Sequence, residues 1–200
     1  MHANPLRWAL LGVAAALLLL YSVAAAAQEA SSAALPGDSL YQIELPLTDQ
    51  TGRQFAFASL RGRTQLVSMF YTSCRYVCPL IIDTLKHTEA ALDEAQRARL
   101  GVVVVSFDPA RDDVEALASV AAKRRLDAAR WHLARTDEDH VRTLAAALDI
   151  QYRRLDDGEF NHASRVILLD RDGRVLASTG KLGEADPAFV EAVRKALAAP

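Results

Sequence analysis

The only two cysteines of the chain, Cys74 and Cys78, lie in the stretch FYTSCRYVCPL over residues 70–80. At helical spacing these positions lie on one face, with their Cα atoms about 6 Å apart, which is close enough for a disulfide. A helix N-terminus here would also stabilise a thiolate, because its free N–H groups carry partial positive charge. Two adjacent thiolates favour a soft metal such as Cu(I) or Zn(II). The pair is therefore a candidate disulfide, nucleophile or metal site.

A metal site needs a third ligand, and histidine is the commonest candidate. His87 lies too far along the helix predicted after the cysteines to meet both sulfurs. His132 is predicted in a short strand and His140 on a polar helix face, where structural or solvated roles are favoured. His162 differs, because it lies in a predicted loop directly before an apolar strand at 165–169. The residues alone leave His162 open as a ligand or as an incidental loop histidine.

The elements around the cysteines predict how they are positioned. Residues 64–72 are a mostly apolar run typical of a buried central strand, and from Pro79 to Ala95 the apolar positions recur at helical spacing. Strand and helix patterns then alternate, which predicts an α/β sandwich with a mixed sheet and a site in the first strand-to-helix turn. The remaining predicted elements are a hairpin around TDQTG, a strand at 101–107, a helix from 108, a strand at WHLA, a helix capped by Thr136 or Asp137, a hairpin at 165–178 and a helix at 186–199.

Residues 1–27 have the pattern of a signal peptide or a membrane anchor. Arg7 supplies a positive start, and Ser22 is the one clearly polar residue of the run at 8–27. Small residues favour cleavage before Gln28, but an uncleaved apolar run of about 20 residues is also long enough to span a bilayer. Both alternatives predict export. The alanine-rich leader indicates the bacterial periplasm, with anchoring to the inner membrane if the leader is retained.

The rest of the chain predicts one exported domain behind a tether. Residues 28–38, QEASSAALPGD, have a tether's composition, and residues 39–200 are long enough for one domain with a sizeable core. The formal net charge is −2 and no basic stripe is present, which excludes a typical nucleic-acid binder. Two cysteines in an exported protein normally predict a structural disulfide, but a bridge over so short a loop would restrict the unfolded chain little.

Four separated segments, which together cover residues 40–178, resemble the Sco/SenC family of copper-binding proteins. They are FYTSCRYVCP, which resembles a Cys-x-x-x-Cys-Pro segment after a buried strand; VSFDPARDDVEAL, which resembles a Ser-x-Asp-Pro-x-x-Asp segment; NHASRVILLDRDGRV, which resembles the segment with the copper-binding histidine; and LTDQTGRQFAFASLRGR, which resembles the N-terminal hairpin.

The resemblance implies a thioredoxin-like α/β sandwich with a central mixed sheet and an N-terminal hairpin extension. It also implies that Cys74, Cys78 and His162 bind copper, as Cu(I) or Cu(II), and that oxidation of the thiols to a disulfide abolishes binding. Family members assist assembly of the binuclear copper centre of cytochrome c oxidase, by delivering copper or by reducing cysteines. The expected partner is that copper-bearing subunit or another periplasmic copper protein. Asp108 is expected to help position the site, with a turn or helix-capping aspartate as the alternative.

The chain departs from the family pattern at two positions. Arg75 stands where proline is usual and Asn161 where aspartate is common, and neither change removes a ligand. The main alternative function is a metal-free periplasmic thiol–disulfide oxidoreductase, although His162 would then have no task. A peroxiredoxin is disfavoured because Tyr71, rather than Thr or Ser, stands three residues before Cys74. Structural zinc is disfavoured because it usually takes four protein ligands.

Overall fold

The two predicted central strands lie side by side in the middle of the protein. Strand β3 (Thr64–Phe70) and strand β4 (Leu100–Ser106) pair in parallel over their full length, and every residue of both strands is buried. Continuous burial of this kind requires cover on both faces of the sheet, which explains why the two sequences are apolar runs and not alternating patterns. Because the strands are parallel, their carboxyl ends meet at one edge of the sheet.

The computed structural model describes residues 34–199. Seven strands form one mixed sheet in the order β2–β1–β5–β4–β3–β8–β9, and β6 and β7 form a separate hairpin. The other strands are β1 (Pro46–Asp49), β2 (Gln54–Ala56), β5 (Trp131–Arg135), β6 (Tyr152–Arg154), β7 (Phe160–His162), β8 (Val166–Leu169) and β9 (Val175–Thr179). The α-helices are α1 (Val77–Ala90), α2 (Glu94–Arg99), α3 (Val114–Arg124), α4 (Glu138–Ala147) and α5 (Pro187–Ala198).

The predicted mixed sheet and N-terminal hairpin are confirmed. β1 and β2 pair antiparallel, and β1 also pairs antiparallel with β5, so the hairpin extends the central sheet at one edge. At the other side, β8 pairs antiparallel with β3 and β9 with β8. Of the two predicted caps of α4, the side chain of Asp137 accepts the backbone N–H of His140 and is the N-cap.

The predicted leader, residues 1–27, and the first part of the predicted tether lie outside the described residues. Within the described part of the chain, Leu35 already packs against the core, ahead of the domain start predicted at 39. No helix of residues 34–199 has both the length and the hydropathy needed to cross a membrane.

The helical pattern predicted after the cysteines is interrupted in the structure. α1 ends at Ala90, and the short helix α2 begins after Asp93. The Asp93 side chain accepts the backbone N–H of Gln96, and the Gln96 side chain accepts that of Asp93, which is a capping box. Leu92 and Ala95 keep the helical phase of the preceding residues, so periodicity alone does not reveal the break.

The prediction that His162 lies in a loop is wrong. His162 is the last residue of β7, which pairs with β6 so that His162 lies opposite Tyr152. Gly158, with a φ of +82°, sits in the turn that joins the two strands. The aromatic rings of Phe160 and Tyr152 lie 6.2 Å apart and pack on this hairpin. The extended conformation fixes the direction of the His162 side chain more tightly than a loop would.

Candidate metal centre

Both cysteines lie where β3 leads into α1, at the strand-to-helix connection that the sequence predicts. Cys74 precedes the helix and is half-buried, whereas Cys78 is the second residue of α1 and is 2% exposed. The backbone N–H of Cys78 donates a hydrogen bond to Cys74 Sγ at 3.3 Å. Tyr76 occupies the N-cap without a capping side chain, so the sulfur of Cys74 takes the place of the usual cap acceptor. Both cysteines are free thiols.

His162 comes to the same point from the β6–β7 hairpin. Its Nε2 lies 3.8 Å from Cys78 Sγ, and the ligand atoms of Cys74, Cys78 and His162 all lie within 4.8 Å of one another. The Nδ1–H of His162 donates to the carbonyl of Ala163 at 3.1 Å, because a carbonyl can only accept. The lone pair is therefore on Nε2, which faces the sulfurs. This is the tautomer that a metal ligand needs.

The two thiols differ in acidity. Burial raises the pKa of Cys74, but hydrogen bonds from the Cys78 thiol and from backbone N–H groups at the start of α1 outweigh it, and that pKa lies below its ordinary value. Burial, together with the hydrogen bond to Cys74, raises the pKa of Cys78 well above its ordinary value. Burial also lowers the pKa of His162, against the opposing effect of the Ala163 carbonyl, and favours the neutral ring. Cys74 is therefore the more acidic thiol of the pair, and Cys78 the less acidic one.

A buried carboxylate, Asp112, ties the cysteine turn to the end of β4. Its side chain accepts hydrogen bonds from the backbone N–H of Thr72, at 3.0 Å, and from the hydroxyls of Thr72 and Ser106. Asp112 is 1% exposed. Sequence reasoning assigned Asp112 no separate role, although it is the last residue of the Ser-x-Asp-Pro-x-x-Asp segment. The position of Asp112 in that segment marks it as a candidate. Its contact with Thr72 follows only from the parallel pairing of β3 and β4.

Asp108 lies in the turn after β4 and makes no recorded contact with the cysteines or with His162. Its carboxylate pairs with Arg111, whose guanidinium also donates to the carbonyl of Gly158 in the β6–β7 turn. The N-cap of α3 is Asp113, so Asp108 is a turn residue and not the helix cap. The Asp108 carboxylate therefore reaches the site through Arg111 and the hairpin that carries the histidine. The Asp108 backbone N–H also donates to the Ser106 hydroxyl, which belongs to the Asp112 network.

A second contact holds the hairpin over the site. The hydroxyl of Tyr71 donates to Glu159 Oε2 at 2.8 Å. The Tyr71 ring meets the His162 ring edge to face, with centroids 6.0 Å apart, and the ring of Phe107 lies 5.0 Å from His162 on another side. These contacts fix the imidazole in the direction of the sulfurs.

The other described histidines lie elsewhere. His132 lies in β5 and its Nδ1 is 3.1 Å from a carboxylate oxygen of Asp49, while His140 contacts Asp137 at the start of α4. His87 is exposed on α1. Among residues 34–199, the cysteine pair gathers only His162 into a group that could hold a metal.

A comparison with family models adds evidence that is independent of this geometry. The model described as SCO1/SenC matches residues 34–198. The chain belongs to the SCO1/SenC family. Two curated relatives that are 30% identical over 74 and 71 residues are matched over only 36% and 24% of their own lengths. The SCO1 protein homolog of Bacillus subtilis is 26% identical over 141 residues, which is 68% of this SCO1/SenC chain and 72% of the relative.

Solved structures of SCO1/SenC proteins share the fold. The copper-bound ScoI of Bradyrhizobium japonicum is 22% identical, with a TM-score of 0.61, over 76% of this chain and 94% of that one. BsSco, a member of the Sco family of cytochrome c oxidase assembly proteins with a described disulfide switch, is 20% identical, with a TM-score of 0.65, over 78% and 92%. The predicted thioredoxin-like fold is confirmed.

The arrangement allows two kinds of chemistry. Two sulfurs and one imidazole nitrogen form a soft donor set, which suits Cu(I) better than a hard cation. The two sulfurs are also close enough to form a disulfide after a small movement, which would remove both from a metal. Metal binding and thiol oxidation are therefore mutually exclusive at this site.

Proposed function

We propose that this SCO1/SenC protein binds copper through Cys74, Cys78 and His162 and assists assembly of the copper centre of cytochrome c oxidase. The observation that carries the proposal is the convergence of the three ligand atoms within 4.8 Å. The copper-bound ScoI structure supports the choice of metal, and the description of BsSco as a member of a cytochrome c oxidase assembly family supports the role.

The protonation states of the free site set the order in which ligands bind. Cys74 loses its proton more readily than Cys78, and the Nε2 lone pair of His162 is available, so these two groups meet Cu(I) first. The Cys78 thiol must release its proton to become the third ligand. Binding of Cu(I) by the three side chains therefore releases protons from the thiols, and copper affinity is expected to rise with pH.

The surface beside Cys74 allows a partner to approach. Tyr76 is 83% exposed and Leu80 is 40% exposed, and both lie on the cysteine turn or the first turns of α1. Exposed apolar side chains next to a half-buried ligand are suited to a transient contact. Copper can leave by ligand exchange, with a partner's thiolate replacing Cys74 first, because Cys78 is buried.

We place the protein in the periplasm, where residues 1–27 act as an export signal or as an anchor in the inner membrane, and we propose the copper-bearing subunit of cytochrome c oxidase as its partner. The composition of the leader supports export. Fusion of residues 1–33 to alkaline phosphatase, which is active only after export, tests the location: an active fusion is expected, and an inactive one contradicts it.

Thiol–disulfide reduction is a second candidate, favoured by the unequal thiols. The Cys74 thiolate would attack a partner disulfide and release one partner thiolate. Cys78 would then attack the mixed disulfide at the Cys74 sulfur, release the second thiolate and leave a Cys74–Cys78 disulfide, so that two electrons pass to the partner. Reduction of a disulfide-bonded copper-site peptide by the copper-free protein, lost in Cys74→Ser, is the result that would favour this candidate.

Anaerobic titration of the reduced protein with Cu(I) tests the copper proposal. One tight equivalent is expected, lost in Cys74→Ala and in Cys78→Ala, and weakened in His162→Ala. His87→Ala is the matched control, because His87 is exposed and lies outside the group. Failure of the reduced wild type to bind copper would overturn the proposal and leave the reductase as the better account.

A further inference from the structure

A pocket lined by several arginines lies at the end of the sheet opposite the cysteines. It has a volume of about 470 Å³ and is lined by residues that precede or begin β3 and β4, such as Arg63 and Gly101. The cysteines lie beyond the far end of β3, and seven strand residues at about 3.3 Å each separate the two places by roughly 20 Å. We call it the arginine pocket and define it by its charged or polar lining residues Asp49, Thr51, Arg53, Ser59, Arg61, Arg63, Gln65, Arg130 and His132.

Within residues 34–199, Arg63 forms no ion pair with a carboxylate, unlike the other arginines of the pocket. Its Nη2 donates to the carbonyls of Ala98 and Leu100, both at 2.8 Å, and its Nε is buried with no hydrogen-bond partner among the described residues. The remaining arginines form ion pairs, namely Arg53 with Asp49, Arg61 with Asp172, and Arg130 with Glu89 and Asp127. A partly buried guanidinium cannot deprotonate and is costly without a counter-charge.

The electrostatics of Arg63 favour the binding of an anion. Burial, and then the nearby Arg130, lower the pKa of Arg63, and Asp127 and Glu89 only partly oppose them. An oxyanion in the pocket would accept from the free Nε and offset the repulsion between the two guanidinium groups. The unpaired Nε–H of Arg63 likewise calls for an acceptor such as an anionic oxygen.

Gln65 adds an independent observation. Its side chain lines the pocket, is 1% exposed, and has an Oε1 with no donor in the described structure. Its Nε2 reaches only the carbonyl of Leu60, at 3.5 Å. A buried acceptor without a donor is costly, and a hydroxyl on the bound anion would satisfy it. The wall of the pocket therefore holds both an unmatched donor, on Arg63, and an unmatched acceptor, on Gln65, and both atoms are buried.

We propose that the arginine pocket is a binding site for a small oxyanion that carries a hydroxyl group, which is the shared chemistry of hydrogen phosphate and a hydroxycarboxylate. A shift of the Arg63 and Gln65 side chains brings their buried atoms to the ligand, so that Arg63 Nε donates to an anionic oxygen and Gln65 Oε1 accepts the ligand's O–H. Arg53 and Arg61 supply further positive charge to the pocket. The site is distinct from the metal centre and does not depend on copper.

Calorimetric titration at constant ionic strength tests the proposal, with the purified, reduced, copper-free protein and three probes: inorganic phosphate, malate and sulfate. Saturable binding of one equivalent of phosphate or of malate is expected. The probe that binds more tightly shows whether the ligand is a phosphate or a hydroxycarboxylate. Sulfate matches phosphate in shape but carries no proton at pH 7, so it is expected to bind at least tenfold more weakly than phosphate if phosphate is the ligand.

Substitutions test the individual contacts. Arg63→Gln is expected to weaken binding at least tenfold, whereas Arg142→Gln, an exposed arginine paired with Asp139 on α4, is expected to leave it unchanged. Thermal unfolding establishes that the Arg63 variant folds. If the Arg63 variant does not fold, Arg53→Gln takes its place in the test, because the Arg53 side chain is 56% exposed. This variant is expected to bind the anion at least threefold more weakly.

Three outcomes would overturn the proposal. They are the absence of saturable binding for both phosphate and malate, unchanged affinity in a folded Arg63→Gln or in Arg53→Gln, and, where phosphate is the stronger ligand, equal binding of sulfate, which would remove the role of Gln65. A parallel Cu(I) titration is expected to give the same copper affinity with and without the anion, so failure here is separable from failure of the metal site.

Discussion

Removal of the Asp112 carboxylate is expected to weaken copper binding although Asp112 touches none of the three ligands. In Asp112→Ala the hydroxyls of Thr72 and Ser106 can rotate toward other acceptors, but the backbone N–H of Thr72 cannot. Hydrogen bonds to a charged group contribute about 1.5–3 kcal/mol each and an unmatched donor costs about 1–3 kcal/mol, and these effects overlap. We therefore expect the free energy of unfolding to fall by about 3 kcal/mol.

Only part of this loss reaches the metal site. The network is present with and without copper, so the stability it adds to both states cancels in the binding equilibrium. If about half of the lost stability comes from disorder of the Cys74 turn that copper binding must reverse, copper affinity falls about tenfold. A tenfold change corresponds to about 1.4 kcal/mol. Urea unfolding measures the stability, and competition with a colorimetric Cu(I) chelator measures the affinity.

The neighbouring residue supplies a matched control. Asp113 caps α3 by accepting the backbone N–H of Ala116, and it has no recorded contact with the cysteine turn. Asp113→Ala is expected to lose about 1 kcal/mol of stability, the usual value of a cap, with unchanged copper affinity. A folded Asp112→Ala protein that binds Cu(I) as tightly as Asp113→Ala would refute the reasoning.

Three further predictions follow from burial and charge. Cys74 is expected to react with iodoacetamide at least tenfold faster than Cys78, because it is more exposed and its pKa is lowered while that of Cys78 is raised; equal rates by mass spectrometry would contradict this. The lowered pKa of His162 means that the unfolded chain binds the proton more readily, so stability falls as pH drops below about 6.5, and His162→Gln is expected to flatten this part of the urea-unfolding profile. Glu89→Ala is expected to cost about 3 kcal/mol by urea unfolding, since it leaves the indole N–H of Trp131 unpaired, without changing copper affinity; a loss below about 1 kcal/mol would show that water replaces the carboxylate.

The central sheet could be predicted from sequence because buried strands leave a strong local signal. The continuous apolar run at 64–72 and the valines at 101–107 have no helical periodicity and correspond to β3 and β4. The break before α2 was missed because the capping box at Asp93 involves only two polar residues inside a continuing helical phase. The β6–β7 hairpin was missed because each strand has only three residues.

The site was only partly predictable from the residues themselves. The cysteine pair is local, and its placement at a helix start follows from spacing and the strand before it. His162 lies 84 residues from Cys78 along the chain, and nothing in the sequence around His162 indicates that the fold brings the two side chains together. The family resemblance supplied that link. The role of Asp112 could not be read from sequence, because it depends on which strand ends meet at the edge of the sheet.

X-ray absorption at the copper edge of the Cu(I)-loaded protein tests the central claim most directly, because it counts the atoms bound to the metal. The account predicts two sulfur neighbours and one nitrogen neighbour, with the nitrogen lost in His162→Ala, the variant that is expected to bind Cu(I) more weakly but still to bind it. A copper ion surrounded only by sulfur, or a nitrogen neighbour that persists in His162→Ala, would contradict the assignment of Cys74, Cys78 and His162 as the copper site.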